Sequence, residues 1–124
     1  MPLLRDFPST RWWVRWVEAE RIELSEGLRE TSFLLTPNEL RDWPPASFAA
    51  IDAEACAALI ALGPEIALIG TGERQRLLAP ALLAEFLRRG IGIEVMDNRA
   101  CARTFNLLAG EGRKVLAAFL IERR

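Results

Sequence analysis

The sequence predicts an α/β fold, and three observations carry that expectation. The second half alternates short apolar runs with amphipathic stretches, the pattern of a layered sheet covered by helices. The first half reads instead as short strands separated by turn residues. The chain has 124 residues, 51% of them hydrophobic and 27% charged, which suffices for one core without disulfides or a structural metal. Residues 1–124 are therefore read as a single domain, with 1–10 as a flexible lead-in.

Taken in order, Trp12 to Val17 alternates as a strand, with Trp12, Val14 and Trp16 on one face and Trp13, Arg15 and Val17 on the other. Packed strand aromatics explain this tryptophan cluster better than a base-stacking platform, because Glu18, Glu20 and Glu23 follow and no basic groove accompanies them. Arg21 to Leu24 is a second strand, Ser25-Glu26-Gly27 a turn, and Leu28 to Thr36 a returning partner. The prolines of Thr36-Pro37 and Trp43-Pro44-Pro45 mark irregular connections. Asp52 can cap a helix from Ala53 to Leu62 whose Cys56, Leu59 and Ile60 share a face, and Gly63-Pro64 stops it.

From Glu65 to Ile69 the chain reads as a strand, and from Pro80 to Arg89 as a helix with Leu82, Leu83, Phe86 and Leu87 inward. Gly92 to Met96 is the next strand, Arg99 to Ala109 a helix, and Lys114 to Ile121 the last strand. On that last helix Arg99, Arg103, Asn106 and Gly110 share one stripe, opposite Cys101, Phe105 and Leu108. The first two of these strands, joined through a helix, are expected to lie parallel as a crossover unit.

Composition excludes several chemistries. There is no histidine and no tyrosine, so the commonest general base and the phenolic acid are both missing. Lys+Arg 16 against Asp+Glu 17 leaves a net charge of −1, without the basic excess that nucleic-acid binding requires. Cys56 and Cys101 stand far apart and outside any CxxC spacing, so reduced core thiols are expected, with no metal and no cofactor. The opening MPLLRDFPSTRWWVRW lacks a charged leader followed by an apolar run, and the uncharged stretch Ala55 to Pro64 is half a bilayer span. A cytoplasmic protein without membrane insertion is the expectation.

Parallel strands ending at Ile69 and Met96 would open onto one rim, where α/β sheets bind ligands. Two loops meet there: Gly70-Thr71-Gly72-Glu73-Arg74-Gln75-Arg76, and Asp97-Asn98-Arg99 leading into the helix that carries Arg103. Glycine-freed amides, a helix N-terminus and arginine forks together could hold a small anion. The candidate ligand residues are Gly70, Thr71, Gly72, Arg74, Asp97, Asn98, Arg99 and Arg103. The turn is neither a GxGxxG fingerprint nor a Walker loop, so it specifies no nucleotide. Asp97 is the candidate acid/base residue, with helix capping as its structural alternative. Glu94, three residues earlier, faces elsewhere on a two-residue period, so the pair is not a carboxylate dyad.

The stretch from Gly70 to Leu120 resembles a small family of unknown function that includes mitochondrial respiratory complex I assembly factor 3 and the adipogenesis-associated domain-containing protein. The residues carrying the resemblance are Gly70-Thr71-Gly72, the helix entered near Pro80, Gly90-Ile91-Gly92-Ile93-Glu94-Val95-Met96, Ala100, Thr104-Phe105-Asn106, Leu108 and Glu111-Gly112-Arg113. Residues 65–121 match best, and the chain departs from the family pattern at Asn98, where threonine is common, and Phe105, where tyrosine is common. The resemblance implies a three-layer domain with a central mixed sheet, helices packed on it and a small additional β layer from the N-terminal strands. It also implies action by association, and with no chemical constellation in the sequence the expectation is contact with a protein partner or a second copy through an apolar surface near the tryptophan strands or the stripe of the last helix. The rival expectation is a small-molecule or anion site, with or without acid/base chemistry by Asp97, on the glycine-turn rim.

Overall fold

The computed structural model describes residues 10–123, so the lead-in expected to be flexible lies, apart from Thr10, outside the described residues. Strands β1 (Val14–Val17), β2 (Ile22–Leu24) and β3 (Leu28–Arg29) form a small antiparallel sheet in that order. Strands β4 (Phe33–Leu35), β5 (Leu40–Asp42), β6 (Ile66–Gly70), β7 (Gly92–Met96) and β8 (Val115–Phe119) form a mixed sheet ordered β5-β4-β8-β6-β7. β6 is parallel to both β7 and β8, while β4 is antiparallel to β5 and β8. A 3-10 turn at Phe48–Ala50 precedes helices α1 (Ala53–Ala61), α2 (Pro80–Arg88) and α3 (Asn98–Gly110).

The two faces of the mixed sheet bury separate cores, because successive strand side chains point to opposite sides. Ala67, Ile69, Leu116, Ala118 and Leu120 face α1 and α2, meeting Cys56, Leu59 and Phe86. Leu68, Val115, Ala117 and Phe119 face α3 and the small sheet, meeting Phe105, Cys101, Val17, Ile22 and Leu24. The layering is thus helices, mixed sheet, then α3 with the small sheet, as the family resemblance implies.

Four details depart from the sequence reading. A bulge in β1 shifts the register between Val14↔Leu24 and Trp16↔Glu23, so Val14 and Val17 both point into the core and Trp16 turns outward, 57% exposed. The segment Leu28 to Thr36 is not one returning strand: β3 ends at Arg29, and β4 pairs in the other sheet. Leu40–Asp42, unassigned from sequence, completes a hairpin with β4 across the Thr36 turn, where the threonine Oγ1 accepts from the Asn38 and Glu39 amides. Leu87 is 64% exposed, because one residue past buried Phe86 is a rotation of about 100° around the helix.

Besides core packing, one side chain of α3 clips the edge of the small sheet. Asn106 Oδ1 accepts from the Val14 amide at 2.8 Å, and its Nδ2 donates to the Val14 carbonyl at 2.9 Å. Both outward polar groups of Val14 are thereby satisfied on an edge strand. Asn106→Ala is expected to cost about 1–3 kcal/mol, since it strands two backbone groups. Native-state hydrogen exchange should show the Val14 amide losing protection before the mixed sheet does.

Cys56 and Cys101 are buried free thiols on opposite faces of the mixed sheet, as the sequence led us to expect. Burial, with Asp52 as a smaller contributor, raises the Cys56 thiol from near 9 to about 11, and burial beside Asp97 raises Cys101 further. Folded thiols thus hold their protons above the pH at which unfolded ones ionise, so their stabilisation is full below about pH 9 and declines from there towards pH 11. Denaturant midpoints measured from pH 8 to 10.5 should show that decline, and Cys56→Ala should make it shallower, leaving the part due to Cys101.

Candidate functional site

The two loops singled out from the sequence do meet at one rim. β6 and β7 run side by side and end together at Gly70↔Met96. Beyond them the Thr71 amide donates to the Met96 carbonyl at 2.9 Å, and the Asn98 amide donates to the Gly72 carbonyl at 2.8 Å. The glycine turn is therefore tied to the start of α3 by its backbone.

Asn98 closes this junction from inside. Its side chain is buried; Oδ1 accepts from the Gly72 amide at 3.2 Å and Nδ2 donates to the Leu120 carbonyl at 2.9 Å, joining three segments through one amide. Gly70 has to be glycine for the same reason: a Cβ there would collide with Asn98 Oδ1 and sit 3.3 Å from both Asn98 Cγ and Cys101 Cβ. Gly72 has its own requirement, a φ of 98° that disfavours any side chain. Thr71 is fully buried, its hydroxyl lying 2.7 Å from the Arg74 carbonyl and 3.2 Å from both the Met96 carbonyl and the Arg76 amide.

These bonds change the chemistry available at the rim. The amides of Thr71 and Gly72 are already donated within the protein, so they cannot also cradle an anion. Asp97 is the N-cap of α3, its Oδ1 accepting from the Ala100 amide at 2.8 Å. Glu94 lies exposed on β7, three residues before it. Arg74, Arg99 and Arg103 are exposed and hold no ion pair among the described residues.

Sequence reasoning missed a second feature of this rim. Arg76 donates to Glu122 at 3.0 Å, with each side chain about one-third exposed, and its guanidinium lies 5.3 Å from the centre of the Phe48 ring. The other Glu122 oxygen accepts from the Phe48 amide at 3.0 Å. Nothing local in the sequence links positions 46 residues apart, so only the topology could reveal the pair. A hollow of about 260 Å³ opens beside it, lined by Ala19, Gly72, Glu73, Arg74, Arg76 and Glu122. A larger hollow of about 410 Å³ lies at the opposite end of the sheet, among Thr36, Asn38, Leu62 and Lys114. The rim remains the better candidate, because the sheet delivers its strand ends there beside Arg74, which holds no ion pair among the described residues. Among the described residues no group of acidic residues and cysteines is placed to hold a metal ion, and no helix is long and apolar enough to cross a membrane.

Comparison with known proteins gives this geometry a lineage. The chain is 36% identical over 88 residues to the cattle protein named NADH dehydrogenase [ubiquinone] 1 alpha subcomplex assembly factor 3, a match covering 69% of this chain and 48% of that protein. It thus spans about half the length of the curated relatives it matches. The NMR structure of a Xanthomonas campestris protein superposes with a TM-score of 0.82 at 39% identity, covering 98% of this chain and 92% of that one. A crystal structure from Bordetella parapertussis gives a TM-score of 0.83 at 34% identity, over 90% and 96% of the two chains. Residues 14–120, which hold both sheets and all three helices, match the family described as "Protein of unknown function (DUF498/DUF598)", and the chain belongs to that family.

Proposed function

We propose that this protein is a non-enzymatic contact module, working as an assembly-factor-like binder of another protein or of its own copy. The observation that carries the reading is the closure of the rim: the groups most suited to chemistry there, the turn amides, Thr71, Asn98 and Asp97, are spent on holding loops together. Its relatives named as assembly factors supply the kind of role such a surface would serve. Size-exclusion chromatography with light scattering, followed by affinity capture from native lysate, tests it. A defined dimer or a stoichiometric partner supports the reading, and a strict monomer that retains nothing overturns it. Such a module would work in the cytoplasm, and cell fractionation checks that placement; recovery in the carbonate-resistant membrane pellet would reassign it.

A small-anion site at the same rim is the second reading, supported by Arg74, which lines the 260 Å³ hollow and holds no ion pair among the described residues. Phosphate or a dicarboxylate should then raise the melting temperature, and Arg74→Ala should abolish the rise. No shift with either anion removes this reading.

A further inference from the structure

β1 is the outer strand of the small sheet, and between it and α3 runs a groove of about 220 Å³, floored by Ala102 and flanked by Trp16, Arg99, Arg103 and Asn106. Of the thirteen arginines between residues 10 and 123, ten hold ion pairs; the three that do not, among the described residues, are Arg74, Arg99 and Arg103. Two of those three stand one helical turn apart along this groove. Like charges at that spacing repel, and among the described residues they are left without the carboxylate that ten of the other eleven arginines have found. Guanidinium groups grip carboxylates bidentately, so the missing complement is acidic. Across the groove the bulge in β1 holds Trp16 out as a broad apolar surface of the kind that anchors interfaces.

We propose that this groove docks an acidic segment of a partner protein, with carboxylates on Arg99 and Arg103 and an apolar side chain against Trp16; the proposal rests on the contact-module reading above. Asn106 already occupies both outward polar groups of Val14, so the segment cannot add as a strand there and is held through side chains. A long polyanion fits less well than a short acidic segment. Glu18 and Glu73 share the next hollow with Arg99, and an extended phosphate backbone would run onto them.

The test uses the full chain, isotope-labelled, titrated with a ten-residue peptide alternating glutamate and leucine, its glutamine counterpart, and a twelve-nucleotide single-stranded RNA. The glutamate peptide is expected to move the Trp16 indole resonance together with amides of residues 14–17 and 99–106. Its affinity should fall at least tenfold in the Arg99→Gln/Arg103→Gln variant, and the glutamine peptide should bind at least tenfold more weakly to the wild type. Because both arginines are exposed, the variant should melt with the wild type, and its spectrum checks that it is folded. Equal binding of both peptides, shifts elsewhere, tighter binding of the RNA, or no shift at millimolar peptide each overturns the proposal. If a lysate partner is retained equally by wild type and double variant, the groove is wrong and the contact-module reading stands. If the wild type retains none and stays monomeric, that reading itself falls.

Discussion

Gly70→Ala is expected to destabilise the protein by about 2–4 kcal/mol, a large loss for a single methyl group. The backbone at Gly70 does not require glycine, since its φ is not among the positive ones. The cost comes wholly from the occupied space. The added carbon meets the Asn98 amide, and moving that amide releases the Gly72 amide and the buried Leu120 carbonyl together. Urea denaturation followed by tryptophan fluorescence gives the number. Asn98→Ala removes the same hydrogen bonds without the clash, so the double variant should be less destabilised than the sum of the two single ones. Strict additivity would show that Gly70 and Asn98 do not meet.

The second large effect is expected at Phe119. Its ring stacks on Phe33 at 5.0 Å between centroids, across the directly paired positions of β4 and β8, and it is fully buried in the core beneath the small sheet. Phe119→Ala should cost about 3–5 kcal/mol, through lost transfer free energy and the cavity left behind. That is a sizeable part of the roughly 5–15 kcal/mol that holds a typical domain together. Phe119→Leu keeps most of the volume and should retain most of the stability. A loss below about 1.5 kcal/mol for the alanine variant would mean that the surrounding core closes over the gap.

Much of the fold was legible because local signals agreed with tertiary need. The Gly92 to Met96 strand has the expected bounds, the helix from Asp52 has its cap, and Asp97 caps α3 through the Ala100 amide. These rest on periodicity and capping, which act within a few residues. The errors cluster where longer-range pairing decides. Trp16 left its expected face because a bulge is fixed by the partner strand, and Leu28 to Thr36 split because its two halves serve different sheets. The meeting of the two rim loops followed from parallel-strand topology. That their amides are already engaged did not, since it depends on Asn98 accepting from Gly72 across 26 positions and on Met96 accepting from Thr71 across 25. The Asn106 clip on Val14, 92 residues away, was equally invisible, and from sequence Asn106 was simply one more polar position on the outer stripe.

The strand order carries a consequence for biosynthesis. β4 and β6 each pair with β8 and not with one another, so the two flanks of the mixed sheet share no direct ladder until residues 115–119 arrive. During translation the hairpin and the crossover unit cannot complete their shared sheet until β8, made after both, slots between them. Folding is therefore gated by late, non-local pairing, and the nascent chain offers chaperones a natural window of engagement.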